Sequence, residues 1–202
     1  MTLPKVKQSQ IDVRPIDWGD MPRRFLNPGE LEVLVALVRS VQPRGVLEFG
    51  VNVGRTAKAI LANVPGIERY QGVDVPVGYV PAMAAQRDEV PAEPGMLVKG
   101  DSRFELLVRP RGSHDLRVSD LRPCDAVFID GDHSRAGVLN DTELARYWVR
   151  PGGIIIFHDY HDLRDAAGVP LVDVRAVLHD FAAAGHDIKH VEGTWLAFEA
   201  IP

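Results

Sequence analysis

Between Val46 and Phe157, short runs of β-branched and aromatic residues alternate with stretches of helical periodicity, a rhythm that restricts the chain to a largely parallel sheet wrapped by helices. Strands are expected at Val46 to Phe49, Tyr70 to Val75, Met96 to Lys99, Ala126 to Ile129 and Ile154 to Phe157. Helices are expected before and between them. Asn27-Pro28-Gly29-Glu30 offers an N-cap, a first-turn proline and a capping-box glutamate, after which Leu31, Leu34, Val35 and Val38 fall on one face. Further helical patterns run from Arg55 to Asn63, Pro81 to Glu89, Ser134 to Val149 and Leu171 to Ala184. At the end of the chain, His186 to Val191 and Trp195 to Glu199 flank Glu192-Gly193-Thr194, which suggests an antiparallel hairpin.

A length of 202 residues suits one domain with a substantial core. The formal net charge is −5 and the basic residues are scattered, which argues against nucleic acid or an anionic membrane as the partner. No apolar run approaches the ~20 residues that span a bilayer, and the first ten residues lack the apolar region of a secretory signal. The single cysteine, Cys124, reads as a small buried hydrophobe at a strand start, as in a protein of a reducing, cytoplasmic setting. Residues 1–26 carry Pro4, Pro15 and Pro22 without periodicity and are expected to form an arm or lid. Within it Trp18 and Phe25 are placed to cover a substrate, and the arm offers a route to a homo-oligomer. Residues 27–202 form the domain proper. The Arg/Asp-rich stretch Arg109 to Pro123 reads as a solvated surface insertion.

The turn after the first strand reads Glu48-Phe49-Gly50-Val51-Asn52-Val53-Gly54-Arg55-Thr56. Glycines there permit a tight bend and close approach of a ligand to the backbone. A dinucleotide fingerprint needs G-x-G-x-x-G, whose middle glycine admits a pyrophosphate; here that position is Asn52. Asp74, twenty positions after Gly54, is suited to a ribose diol. Glu48 would repel a pyrophosphate but suits a ligand bearing an ammonium and a sulfonium.

Two further strand ends carry polar chemistry: Asp130-Gly131-Asp132-His133-Ser134 after the fourth strand, and His158-Asp159-Tyr160-His161-Asp162 after the fifth. In a parallel sheet these open onto one edge, and so many ionisable groups together are costly unless paired, ligated or used. Asp132 and Ser134 are also good N-caps for the helix that follows.

Glu48-x-Gly50-x-x-x-Gly54, Asp74 and Gly100-Asp101-Ser102 together resemble the successive cofactor motifs of class I S-adenosylmethionine-dependent methyltransferases. The two acidic strand ends, with Pro151-Gly152-Gly153 between them, are similar to the small O-methyltransferase branch that includes the catechol, macrocin and caffeoyl-coenzyme A enzymes. The resemblance implies a Rossmann-like, doubly wound, seven-stranded sheet, mostly parallel with an antiparallel C-terminal hairpin strand. It implies that Glu48, Gly50, Asn52, Gly54 and Thr56 surround the methionine portion of the methyl donor, that Asp74 holds its ribose, and that Asp101 and Ser102 face its adenine. It also implies a divalent ion such as Mg²⁺ or Mn²⁺ on Asp130, His158 and Asp159, although His158 stands where relatives place a carboxylate. The expected acceptor is a small hydroxylated metabolite. Asp130 and His133 are the expected catalytic residues, with His133 as general base where no metal binds. Two other classes stay open: a nicotinamide-dependent oxidoreductase, opposed by Asn52, and a non-catalytic S-adenosylmethionine-binding protein, opposed by the acidic cluster.

Overall fold

The computed structural model describes residues 2–17 and 27–202. Among the described residues eight strands form a single sheet: β1 (Lys5–Val6), β2 (Gly45–Phe49), β3 (Arg69–Asp74), β4 (Phe104–Val108), β5 (Cys124–Ile129), β6 (Val149–Phe157), β7 (Ile188–Val191) and β8 (Ala197–Ala200). Their order is β1-β7-β8-β6-β5-β2-β3-β4, parallel throughout except that β8 runs antiparallel to both β6 and β7. The helices are α1 (Glu30–Ser40), α2 (Arg55–Asn63), α3 (Arg135–Trp148) and α4 (Val174–Ala183).

Strand alternation sends side chains to two cores. On one face Val46, Phe128 and Ile156 pack with Leu31, Leu34 and Val38 of α1 and Ile60 of α2. On the other, Leu47, Val127 and Ile155 pack with Val138 of α3 and Val177 and Leu178 of α4. The central strands are buried on both faces, which explains why β5 and β6 read as nearly unbroken apolar runs. Cys124 is buried at the start of β5, and burial pushes its thiol up to about 12.

Three sequence expectations need correction. The sheet has an eighth strand, because Lys5–Val6 in the arm pairs in parallel with β7. Met96–Val98 forms a 3-10 turn, and the strand beside β3 is instead Phe104–Val108. The Pro81 to Glu89 helix reduces to one 3-10 turn at Ala84–Gln86. The places assigned to Trp18 and Phe25 lie outside the described residues. Among the described residues no helix is long and apolar enough to cross a membrane.

Candidate active site

Strand register builds the site. Phe49 pairs with both Val73 and Ile129, and Ile129 with Phe157, so the residues that follow β2, β5 and β6 emerge side by side on the carboxyl edge of the sheet. The main chain continues the ladder one step further: Asp130 N donates to Phe49 O at 2.9 Å, and His158 N donates to Ile129 O at 3.1 Å. This is where the strand order reverses, the position at which open α/β sheets bind ligands. A cleft of about 480 Å³ opens there, within the range of small-molecule sites.

The glycine loop forms one wall. Gly50 has φ +84°, and a Cβ added to it would stand 2.0 Å from the carbonyl oxygen of Asp130, so only glycine lets the loop after β2 pass the loop after β5. Asn52 also has positive φ, at 52°, a region asparagine tolerates. Its side-chain Nδ2 donates to Glu89 O at 2.5 Å, and its carbonyl accepts from Gly95 N at 2.7 Å, which pins residues 89–95 over the cleft. Gly50, Asn52, Thr56 and Asp74 all line the cleft; Gly54, at φ +87°, starts α2 just behind them. Burial pushes the Asp74 carboxyl up to about 6, against the opposing effect of main-chain donors.

Glu48 is placed differently. Only 1% exposed, it lies beneath the loop and not on the cleft wall, accepting the Tyr70 hydroxyl at 3.0 Å. Its Oε1 has no hydrogen-bond partner among the described residues, and burial holds its carboxyl well above the usual range. Asp101 and Ser102 are corrected outright. They precede β4 instead of ending a strand, so they sit at the amino edge, where Asp101 pairs with Arg103 at 2.7 Å. The carboxyl end of β4 delivers Arg111, Gly112 and Ser113 to the cleft instead. The stretch read as a solvated insertion thus supplies cleft wall, with Ser113 buried and within 3.0 Å of Asn140 Nδ2.

Asp130, His133, His158 and Asp159 converge next to the glycine loop, at the ends of β5 and β6. His133 Nδ1 lies 3.1 Å from Asp159 Oδ2, and its Nε2 lies 3.3 Å from Asp130 Oδ1. His158 Nδ1 lies 3.1 Å from Asp130 Oδ1 and 3.3 Å from Asp159 Oδ1. Burial alone would depress both imidazoles and raise Asp130. The charges outweigh it: hydrogen bonding and attraction to the carboxylates raise both histidines, and the imidazoles hold Asp130 well below the usual carboxylate range. Ser134 is the N-cap of α3, its Oγ accepting from Gly137 N at 3.2 Å, while Asp132 accepts Ser134 N and also lines the cleft.

Ligand atoms of Asp130, His133 and Asp159 lie within 4.8 Å of one another, so among the described residues this is the trio arranged to share a cation. Two carboxylates and an imidazole suit a first-row divalent ion such as Mn²⁺, Fe²⁺ or Zn²⁺ better than Mg²⁺. The imidazole in that trio is His133, whereas the sequence reading had put His158 there. His158 is tied back by its Nε2 to Glu30, at 3.3 Å.

Several site residues escaped the sequence. Glu30 looked like a helix cap and is in addition a wholly buried partner of His158. Gln86 bridges the loop after β5, its Nε2 donating to Gly131 O at 2.7 Å and its Oε1 accepting His133 N at 3.1 Å. Glu89 lines the cleft with its carboxyl raised by burial. Nothing in local pattern marks Gln86 or Glu89, because both lie in an irregular segment.

The fold matches solved methyltransferases. A Podospora anserina methyltransferase bound to S-adenosylhomocysteine superposes with a TM-score of 0.63 at 14% identity, covering 87% of this chain and 79% of that one. A putative caffeoyl-CoA O-methyltransferase from Staphylococcus aureus gives 0.63 at 12%, covering 85% and 82%. TomG from Streptomyces achromogenes, an O-methyltransferase of tomaymycin synthesis in complex with S-adenosylmethionine, gives 0.55 at 19%, covering 91% and 84%. An uncharacterized protein of Acanthamoeba polyphaga mimivirus is 50% identical over 40 residues, which span 20% of this chain and 18% of that protein. The family described as "Methyltransferase domain" matches residues 47–160, from within β2 to just past Asp159, and the chain belongs to that family.

Proposed function

We propose that the chain transfers the methyl group of S-adenosylmethionine to a hydroxyl oxygen of a small metabolite. The observation that carries this reading is the meeting, in one cleft, of the glycine loop and Asp74 with the Asp130–His133–Asp159 trio. The donor fits the glycine loop by chemistry: Asp74 offers acceptor lone pairs to a ribose diol, and Gly50, with no side chain, lets the methionine portion approach the loop closely. Ser113 and the adjoining Gly112 replace Asp101 and Ser102 as the adenine contacts.

Methyl transfer is a displacement at carbon. An oxygen lone pair forms the C–O bond while the C–S pair returns to sulfur, leaving a neutral thioether, and the hydroxyl proton must go elsewhere. His133 is the residue to receive it, since Asp159 orients its Nδ1 and its Nε2 faces Asp130 at the cleft. The carboxylates raise its pKa, so the base form is populated on the alkaline side of the usual imidazole range and the rate is expected to climb as pH rises through it. The closeness of the trio favours a second arrangement, in which Asp130, His133 and Asp159 hold a divalent ion that supplies Lewis acidity to the acceptor hydroxyl.

The test is S-adenosylhomocysteine formation over a panel of phenolic, sugar and carboxylate acceptors, with and without chelator. Turnover on hydroxylated acceptors supports the reading, and chelator sensitivity separates the two arrangements. Turnover confined to amine or thiol acceptors would refute oxygen transfer.

A further inference from the structure

Glu30 is 0% exposed, an unusual state for a residue that the sequence marks only as a helix cap. The capping contact exists, with Asn27 N donating to Oε2 at 3.0 Å. The carboxylate does more. Oε1 accepts from Trp195 N at 2.5 Å, in the turn before β8, and Oε2 meets His158 Nε2 at 3.3 Å across 128 residues of sequence. A surface cap would leave its carboxylate in water, whereas this one is withdrawn from solvent and spent on four donors, the fourth being Asn27 Nδ2 at 3.3 Å. His158 is 5% exposed, and its ring is bordered by Phe128 at 6.1 Å and Trp195 at 6.3 Å between centroids. Neither aromatic neighbour offers a side-chain partner to Nε2. Among the described residues the acceptor within reach of that nitrogen is Glu30, and it fixes which way the ring faces.

We propose that Glu30 is a positioning residue: it holds His158 with Nε2–H toward α1, so that Nδ1 is aimed at Asp130 and Asp159 and keeps both carboxylates turned to the cleft. The inference rests on the methyl-transfer reading for its kinetic consequence and not for its geometry. A carboxylate that orients an imidazole through the nitrogen away from the site fixes ring rotation as well as charge, and losing such a partner costs about 10–100-fold in activity. In this chain an imidazole stands at the strand end beside Asp159, and an imidazole has two inequivalent nitrogens where a carboxylate has equivalent oxygens, so a device that selects between them is needed.

The experiment compares wild type with Glu30→Gln. Readouts are the ¹⁵N resonances of the His158 ring, S-adenosylmethionine affinity by calorimetry, kcat and KM, and the melting temperature. The expected result is a protonated, hydrogen-bonded Nε2 in wild type. In Glu30→Gln that resonance shifts, kcat falls by about 10–100-fold, and donor affinity and acceptor KM stay within about twofold. A wild-type Nε2 without a proton overturns the proposal. So does a folded Glu30→Gln variant with unchanged ring resonances and kcat, or one whose loss is confined to melting temperature. If Glu30→Gln does not fold, the wild-type ring spectrum decides alone. If wild type binds no S-adenosylmethionine, the functional reading fails, while the ring spectrum still decides the role of Glu30.

Discussion

Asp74 Oδ2 accepts the main-chain amide of Asn52 at 2.6 Å, joining the end of β3 to the turn of the glycine loop. Its Oδ1 accepts Val75 N at 2.7 Å, so both oxygens are anchored while lone pairs stay available to the cleft. Because burial lifts this carboxyl to about 6, it is ionised at neutrality but not in mild acid. S-adenosylmethionine affinity is therefore expected to weaken as pH falls through about 6, approaching tenfold per pH unit below it. Calorimetry from pH 5 to 7.5 checks this, with Asp74→Asn expected to remove the inflection; a flat wild-type profile would refute the ribose role.

Gly50→Ala tests the crossing of the two loops. The added methyl meets main chain at 2.0 Å, which no rotamer relieves, and it stands at φ +84°. Overpacking and the left-handed conformation together are expected to cost roughly 3 kcal/mol or more. Chemical denaturation measures it, and a loss under about 1 kcal/mol would mean that the loops are not in contact as described.

Asp141 carries a pH signature of its own. Burial, opposed by hydrogen bonds from Ser113 and Asn140, lifts its carboxyl from 3.8 to about 7. The native state therefore holds a proton that the unfolded chain releases, and stability falls as pH rises between about 4 and 7, then stays reduced. The full difference is on the order of 4 kcal/mol. Asp141→Asn is expected to be more stable than wild type at pH 8 and to lose that advantage at pH 4, as read from urea midpoints. Equal wild-type and variant midpoints at pH 8 would contradict it.

The cation trio yields a fourth expectation. Mn²⁺ added to the protein should give a bound-ion signal in electron paramagnetic resonance, and Asp159→Asn should weaken that binding by at least about tenfold, as loss of an anionic oxygen donor does. Unaltered binding in the variant would place the ion elsewhere.

Much of the site was legible because the central strands announce themselves. β5 and β6 are apolar on both faces, so the polar residues that follow, Asp130 to Ser134 and His158 to Asp162, mark the carboxyl edge without ambiguity. The edges of the sheet were harder. β4 is an outer strand with Arg103 before it and Glu105 within it, so its apolar stretch is interrupted and no longer than Met96 to Val98, which drew the assignment. That single displacement sent Asp101 and Ser102 to the wrong edge and hid Ser113. β1 is two residues long, too short for any periodicity. Glu30 was invisible for a different reason: its capping role is local and readable, whereas its contact with His158 exists only after the sheet has formed.

The measurement that bears most directly on the account is calorimetric titration of S-adenosylmethionine into wild type and Asp74→Ala, with NAD as the control ligand. Saturable binding of the methyl donor at one site per chain, at least about tenfold weaker in Asp74→Ala and absent for NAD, is the expected result. Binding of NAD in its place, or donor binding indifferent to Asp74, would contradict the assignment of the cleft.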